Sequence, residues 1–444
     1  MLERGRKIGI TDCIWVIMVG ALYFCWACHL QQSWCPDEYM RDDVAFWILQ
    51  NGRLPVGNEP ELINPIWGFS YAFLPYLPSL IGVLLMKLCG LFTASPAALL
   101  MALRSVSVLA GAGAAVFSLK IGKRVFHNRL SDYVFSAFIC LLPQFVFVSS
   151  YFNNDSFSTF TTVVMLYFWV CGLQDGWNVK NSIGLGIGIG CCALTYYNAY
   201  GFILGSVIFY FLSWGVREEK SKPGRVLKYF LIIAGVAFVI AGWYFIRNFF
   251  IYDGDFLGMR AMKYCGELNA VDAFKPSLMQ TRKKMGLTFW NMFADRYWFR
   301  STLHSFIGCF GYMSVWISFK LVMVYCLVLG AGAAAGFFLL AGKRRTRLLS
   351  LCLVVSMGLP VLLSLYNSYT SDYQAQGRYL LSALPGLAFL AATGYDRIAV
   401  KVGKWMQNVF LGVLLAGWIL LFARVWFTSI LPECWSQAIG QILL

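Results

Sequence analysis

The stretch at residues 69–92, "FSYAFLPYLPSLIGVLLMKLCGLF", decides how the chain is threaded, because it is apolar enough to resemble a membrane span but is interrupted early. Pro75 and Pro78 break its first part, and the uninterrupted remainder, 79–92, has 14 residues and contains Lys87. A helix that crosses a bilayer needs about 20 mainly apolar residues. The stretch therefore predicts a short helix that lies along a membrane surface.

The rest of the chain consists largely of apolar runs that are long enough to cross a membrane. Of its 444 residues, 59% are hydrophobic and only 13% are charged. This composition predicts an all-α polytopic membrane protein with a single transmembrane domain over residues 1–444. About eleven spans are predicted, in the windows 8–28, 97–119, 132–150, 156–173, 183–199, 201–214, 228–247, 306–341, 348–366, 378–396 and 405–427.

The basic residues determine the predicted orientation, because Lys and Arg are enriched in short cytoplasmic connections. With 69–92 at the surface, all the short basic connections fall on one side: 1–7, 119–131, 215–228, 342–347 and 397–404. The N-terminus is therefore predicted to be cytoplasmic and the C-terminus to lie outside. Two long loops, 29–96 and 248–305, then share the outer face.

Several features that resemble binding motifs have structural explanations. The net charge of +15 does not indicate nucleic-acid binding, because many of the basic residues lie in the short connections. Most of the 14 cysteines lie in apolar runs without zinc-site spacing. The glycines of "GLGIGIGCC", residues 184–192, follow no strand, and their small-xxx-small spacing predicts close helix packing instead of a dinucleotide site.

The first outer loop opens with a dense acidic stretch, "WCPDEYMRDD" at residues 34–43. A helix is predicted over about 37–50, because Asp37 is a good N-cap and Asn51-Gly52 is a good stop signal. With the helix of 69–92, it gives this loop its amphipathic juxtamembrane helices.

The acids of this stretch have two interpretations. Asp37 and Glu38 either cap the helix and keep the loop soluble, or form part of an active site. Apolar flanks would hold their carboxylates at the membrane surface, where partial desolvation raises the pKa toward a value that suits a general base. Asp42 and Asp43, further along the helix, are expected to be solvated.

A second acidic turn, "YFNNDSFSTF" at residues 151–160, lies on the same predicted face. Asp155 either caps the following helix or joins Asp37 in a site. Paired acids can divide base and orienting roles, or hold a divalent cation, so a metal is allowed for but not obligatory. Asn154 is a further candidate for substrate contact.

A late segment, "YTSDYQAQGRYLLSALPG" at residues 369–386, brings Arg378 to the outer face. Arg378 either extends toward lipid headgroups, as interfacial arginines commonly do, or binds a phosphate together with Tyr379. Its guanidinium fork matches two phosphate oxygens. Arg247, at an outer membrane end, is a further candidate cation.

In this order, these segments resemble the GT-C superfamily of membrane glycosyltransferases, which includes protein O-mannosyltransferases and aminoarabinose transferases. The resemblance covers nearly the whole chain. It is carried by "PDEYMRDDVAFWILQNGRLP" (36–55), the proline-rich stretch 69–92, "LRSVSVLAGAGAAVFSLKIGKRVF" (103–126), the "NND" turn (153–155) and "QGRYLLSALPG" (376–386).

The resemblance implies a reaction and roles for individual residues. A sugar would pass from a polyprenyl-phosphate carrier to a glycan, lipid or protein acceptor on the outer face. Asp37 would deprotonate an acceptor hydroxyl, which attacks the sugar C1 with inversion. Glu38 and Asp155 would position the acceptor or the base, and Arg378, with Arg247, would stabilise the departing phosphate.

Arg41 departs from the pattern of relatives with a P-D-E start, which often carry a histidine at that position. It is interpreted as a candidate for binding the carrier phosphate. Two other functions stay open: an envelope polysaccharide polymerase or ligase, and a lipid or solute transporter. A bacterial plasma membrane is the expected location, with membrane lipids as further partners.

Overall fold

A computed structural model of the chain describes residues 6–216, 222–294 and 296–434, except for the side chain of Phe293. Residues 217–221 of the predicted basic connection 215–228 lie outside the described residues, as do the first five of the connection 1–7.

The described part of the chain is almost entirely helical. Its α-helices are α1 Ile10–His29, α2 Glu38–Asn51, α3 Leu77–Gly90, α4 Pro96–Val125, α5 Arg129–Cys140, α6 Pro143–Val148, α7 Asp155–Gln174, α8 Val179–Ala193, α9 Tyr200–Gly215, α10 Pro223–Ile251, α11 Met259–Asn269, α12 Phe289–Ala294, α13 Arg296–Ile307, α14 Phe319–Leu340, α15 Arg344–Thr370, α16 Leu384–Ala399 and α17 Lys404–Val425. Strands β1 Cys309–Phe310 and β2 Val315–Trp316 form a small antiparallel hairpin. Short 3₁₀ helices cover Gln32–Trp34, Pro60–Leu62, Tyr71–Phe73, Tyr197–Ala199, Asp272–Phe274 and Gly377–Ala383, and a π-turn covers Trp426–Ile430.

Seven helices in the described ranges are long and apolar enough to cross a membrane: α1, α4, α7, α10, α14, α15, and α17 with its continuation to residue 434. The chain is therefore an integral membrane protein, as predicted. The predicted count of eleven spans is not confirmed, because shorter helices occupy four of the windows.

Local sequence explains these shorter helices. The window 132–150 is divided between α5 and α6, where Pro143 occupies the first turn of α6. The windows 183–199 and 201–214 contain helices of 15 and 16 residues. The window 378–396 begins with the 3₁₀ helix Gly377–Ala383, and only then continues as α16.

The stretch 69–92 forms the short helix that its prolines predict. Helix α3 has 14 residues, and Pro78 lies in its first turn, where a proline costs no intrahelical hydrogen bond. Its Gly82 lies directly against Leu103 of α4, and α3 also packs on α2. The first outer loop is thus folded onto the bundle, while the position of α3 relative to a membrane remains a prediction.

The bundle has two chemically different ends. The basic end comprises residues 6–12, 123–132, 174–179 and 341–347, and holds buried ion pairs such as Lys123–Asp12 at 2.8 Å. The loop end comprises residues 29–96, 151–155, 194–199, 248–294, 296–318 and 371–383. The helix directions place these two groups at opposite ends, as the predicted threading requires.

Glycines allow the helices of the bundle to approach closely. A Cβ on Gly186 or Gly190 of α8 would lie 2.8 Å from atoms of α10, and one on Gly184 would lie 2.0 Å from Phe168 of α7. The predicted packing role of "GLGIGIGCC" is therefore confirmed. A similar approach joins α14 and α16, where a Cβ on Gly336 would lie 2.0 Å from the Leu390 carbonyl oxygen.

Candidate active site

Asp37 lies at the start of α2 in an unusual backbone conformation. Its φ of 62° and ψ of 4° are left-handed, which a residue other than glycine rarely adopts. The helix begins at Glu38 and ends at Asn51, followed by Gly52 with φ 65°, close to the predicted bounds. The expected capping by the Asp37 side chain is wrong, because the carboxylate turns away from the helix and accepts a hydrogen bond from Arg378.

Glu38 has a different environment although it is the next residue. Its side chain is fully buried, and Arg104 of α4 donates to both carboxylate oxygens, at 2.9 and 2.6 Å. The backbone N–H of Phe152 donates a further bond of 2.7 Å. Arg104 also donates to the carbonyl oxygens of Ala27 and Leu30, both at 2.7 Å. The Glu38–Arg104 pair therefore connects α2 to α1, α4 and the turn 151–155.

Asp155 is the first residue of α7 and is 3% exposed. The hydrogen bonds that cap α7 come from Asn153, which precedes the N-cap residue Asn154 and whose side-chain oxygen accepts from the N–H groups of Asp155 and Ser156 at 2.7 and 3.1 Å. Capping thus does not occupy the Asp155 carboxylate, which instead interacts electrostatically with Arg378, Arg41 and Asp37.

Asn154 is buried, and its side chain donates hydrogen bonds to backbone carbonyl oxygens. Its amide donates to the Thr195 carbonyl oxygen at 2.7 Å and to the Pro75 carbonyl oxygen at 3.4 Å. The side chain thereby joins the turn 151–155 to two other segments of the loop end.

Arg378 lies in the 3₁₀ helix Gly377–Ala383 and contacts Asp37 directly. Its Nε donates to Gln376 at 2.9 Å, and its Nη2 donates both to Asp37 and, at 3.3 Å, to the Tyr379 hydroxyl. The segment is held against α13, since a Cβ on Gly377 would lie 2.1 Å from the backbone nitrogen of Phe306. Close packing thus aims Arg378 at Asp37, across 341 residues of sequence.

Arg41 lies one helical turn after Asp37 and is 7% exposed. Its guanidinium stacks over the rings of Tyr71 at 4.6 Å and Tyr196 at 5.9 Å. Its buried Nε has no hydrogen-bond partner among the described residues. The charge interacts with both Asp37 and Asp155.

Arg378, Arg41 and Tyr71 together lower the pKa of Asp37, whereas the sequence predicted a rise. Burial raises the pKa, but the charges of Arg378 and Arg41 and hydrogen bonds from Arg378 and Tyr71 outweigh it, so that the net shift is downward. Asp37 is consequently ionised at neutral pH.

Asp42 is 1% exposed, so its expected solvation is wrong, whereas Asp43 is exposed as expected. Gln32 donates to one Asp42 oxygen at 2.6 Å, and the other oxygen has no partner among the described residues. Burial, reinforced by the nearby Glu38 charge, raises the pKa of Asp42 well above its ordinary value.

Arg247 belongs to a separate group of residues. It donates to the Pro55 carbonyl oxygen at 2.6 Å, and it interacts with Tyr76 and Tyr252. These contacts hold residues 52–60 on α10. The structure therefore brings together Asp37, Asp155, Arg378, Tyr379 and Arg41, and gives Glu38, Asn154 and Arg247 supporting contacts around them.

The comparisons with known proteins agree with this architecture. No family model matches the chain, and no curated protein matches it. Among solved structures, the oligosaccharyltransferase of Archaeoglobus fulgidus in complex with Zn and sulfate has a TM-score of 0.58 at 14% identity, over 92% of this chain and 52% of that one. ArnT from Cupriavidus metallidurans bound to undecaprenyl phosphate has a TM-score of 0.53 at 14% identity, over 98% and 76% of the two chains. AglB from Archaeoglobus fulgidus with an inhibitory peptide and a dolichol-phosphate has a TM-score of 0.53 at 12% identity, over 94% and 56%.

These similar structures are GT-C glycosyltransferases. The chain therefore has the GT-C fold, as the resemblance predicted. It spans little more than half the length of the oligosaccharyltransferase chains, 52% and 56%. At this level of identity the likeness establishes the fold and no more.

The Asp37 carboxylate pairs with the guanidinium of Arg378. In the described ranges, no group of three or more His, Cys, Asp or Glu side chains is arranged to hold a metal ion. A divalent cation shared by Asp37 and Asp155 stays a prediction.

Proposed function

We propose that this protein is a glycosyltransferase that moves a sugar from a polyprenyl-phosphate carrier to an acceptor, with inversion at C1. One observation carries the proposal: an ionised aspartate, a second acid and two arginines converge at the loop end of a membrane bundle with the GT-C fold. We further propose that this end faces outward, in a bacterial plasma membrane.

The amphipathic chemistry of a polyprenyl phosphate and the ligands of two similar structures support this class of carrier. A polyprenyl phosphate has an anionic headgroup at the membrane surface and an apolar chain in the bilayer, which suits a cationic site at the end of a membrane bundle. ArnT was solved with undecaprenyl phosphate and AglB with a dolichol-phosphate.

In the proposed reaction Asp37 accepts the proton of the acceptor hydroxyl. The acceptor oxygen forms a bond to C1 of the sugar while the bond from C1 to the phosphate oxygen breaks. Negative charge develops on the departing phosphate, where the positive charges of Arg41 and Arg378 and the Tyr379 hydroxyl can stabilise it. Asp155 orients the acceptor beside Asp37, and Glu38 holds the Asp37 segment in place.

The test uses the full chain, purified in detergent or nanodiscs and supplied with a panel of undecaprenyl-phosphate-linked sugars and candidate acceptors. Release of undecaprenyl phosphate is measured by mass spectrometry. Removal of a general base typically costs about 10²–10⁴-fold, so Asp37→Asn should reduce release by that factor. Asp43→Asn is the matched control, because this aspartate lies on the same helix but is exposed.

Three outcomes would contradict the proposal. Full activity of Asp37→Asn would remove the assigned base. Consumption of a long lipid-linked glycan but of no single-sugar carrier would indicate a polymerase or ligase, and lipid or solute flux without chemistry in proteoliposomes would indicate a transporter.

A further inference from the structure

Three arginines are buried in the described part of the chain, and all of them lie at or next to the loop end: Arg41, Arg104 and Arg378. They differ in how many hydrogen bonds their N–H groups donate to protein acceptors. Arg104 donates four hydrogen bonds, two to Glu38 and two to backbone carbonyl oxygens. Arg378 donates to Gln376, Asp37 and Tyr379. The buried Nε of Arg41 donates none to a described residue.

Arg41 is nevertheless held firmly in place. Two tyrosine rings flank its guanidinium, Tyr71 from the first loop and Tyr196 from the turn 194–199. Stacking fixes the plane of a guanidinium and leaves its in-plane N–H groups available. A buried cation with unused donors is costly unless a ligand supplies the acceptors.

The position of Arg41 specifies the kind of ligand. Its charge interacts with Asp37 and Asp155, so a group bound to it lies beside the proposed base. Neither carboxylate accepts a hydrogen bond from Arg41. An anion with several acceptor oxygens, such as a phosphate, matches the unused donors.

Arg378 is less suited to the same task. Its Nη2 holds the Asp37 carboxylate, and the pair is 10% and 27% exposed for the arginine and aspartate side chains. A phosphate that took this guanidinium would leave Asp37 without its main counter-charge in a buried position. Such a loss would oppose ionisation of the base.

We infer that the two arginines have separate roles, in which Arg41 binds the phosphate of the polyprenyl carrier and Arg378 is a positioning residue that holds Asp37 ionised and oriented. This assignment deepens the proposed function and rests on it. It differs from the role for Arg378 that the sequence resemblance implies, since contact of that residue with the phosphate becomes secondary.

The test measures binding of undecaprenyl phosphate to the full chain in nanodiscs, by the shift that the lipid produces in each variant's own Tm, with the neutral undecaprenol as the control lipid. Arg41→Gln should weaken binding by about tenfold or more, because it removes a charge-assisted contact. Arg41→Lys, which keeps the charge, should retain part of the affinity. Arg53→Gln is the matched control, since Arg53 also stacks on an aromatic ring in this loop but is exposed.

Arg378→Gln should bind undecaprenyl phosphate like the unmodified chain and lose kcat with little change in KM for the donor. Binding that survives in Arg41→Gln but fails in Arg378→Gln would overturn the assignment while leaving the proposed function intact. A shift with free glucuronate that is lost in Arg41→Gln, while the shift with undecaprenyl phosphate is kept in that variant, would also overturn it, because the anion at Arg41 would then be a sugar carboxylate. Absence of any undecaprenyl phosphate binding to the unmodified chain would instead count against the proposed function itself.

Discussion

Asp37 and Glu38 are adjacent in the chain and each pairs with an arginine, yet the two ion pairs differ in almost every physical respect. The Glu38–Arg104 pair is sealed, with side-chain exposures of 0% and 3%, and each carboxylate oxygen has a partner. The Asp37–Arg378 pair keeps partial exposure and stands next to an arginine with unused donors. The difference indicates that a pair with every group satisfied serves the fold, whereas one that remains accessible can serve chemistry.

The largest effect on stability should come from breaking the sealed pair. Arg104→Met leaves the Glu38 carboxylate buried without its counter-charge, which typically costs about 3–5 kcal/mol of unfolding free energy. Unfolding by SDS titration in mixed micelles measures this loss. Arg53→Met, at an exposed arginine, should change stability far less, and an equal loss in both variants would contradict the role given to the pair.

Breaking the accessible Asp37–Arg378 pair should mainly change the pH dependence of activity. Arg378 and Arg41 lower the pKa of Asp37, so the base form is present at neutral pH and persists as the pH falls. In Arg378→Gln, burial is opposed only by the charge of Arg41 and the hydrogen bond from Tyr71, so the pKa of Asp37 should rise. Because the ionised form is the base, the acid limb of kcat/KM should move to higher pH.

Profiles of kcat/KM against pH for the unmodified chain and for Arg378→Gln measure this shift. The control is Arg282→Gln, which removes an arginine of the second loop that stacks on Tyr373. An unmoved acid limb in Arg378→Gln would mean that Arg378 does not set the charge of Asp37.

Asp42 lies in the same helix as Glu38 and differs from both ion-paired acids, because it is buried and no cation is hydrogen-bonded to it. Its raised folded-state pKa means that folding favours the protonated form. The unmodified chain should therefore lose stability as the pH rises from the unfolded-state pKa toward the folded-state pKa. Asp42→Asn should lack this loss and stay within about 1 kcal/mol of the unmodified chain at low pH.

Unfolding measured from about pH 4 to about pH 8 distinguishes Asp42→Asn from the exposed control Asp43→Asn. A pH dependence that is the same in both variants would show that Asp42 does not carry this proton.

Metal removal should have the smallest effect. Since Arg378 supplies the positive charge beside Asp37, treatment with EDTA should change the rate by less than about twofold, in contrast to a metal-activated site. The measurement is undecaprenyl phosphate release before and after dialysis, with Mg²⁺ and Mn²⁺ added back. A loss restored by either ion would require Asp37 and Asp155 to share a cation in the complex.

The sequence predicted much of this arrangement, and the omissions have identifiable causes. The prolines of 69–92 indicated a short α3, and the GT-C resemblance indicated Asp37, Asp155 and Arg378. The pairing of Glu38 with Arg104 was missed. An arginine within an apolar run needs an acid, which is a signal in the sequence, but the two residues lie 66 positions apart.

Other features depend on tertiary contacts that composition does not reveal. Tyr71 and Tyr196 could not be singled out in a chain with 17% aromatic residues. The direction of the Asp37 pKa shift was wrong because burial was considered without the distant Arg378. Asp42 was expected to be solvated because its hydrogen bond with Gln32 and its proximity to Arg104 are not apparent from the period of α2 itself.

The left-handed backbone at Asp37 limits which side chains natural variation or design could place there. Asparagine and glycine tolerate this conformation, whereas glutamate gains little from it and would carry its carboxylate past Arg378. An exchange of one acid for the other, often considered conservative, should therefore be disfavoured at this position. Of the two acidic residues, the turn favours aspartate at this position before any substrate has bound.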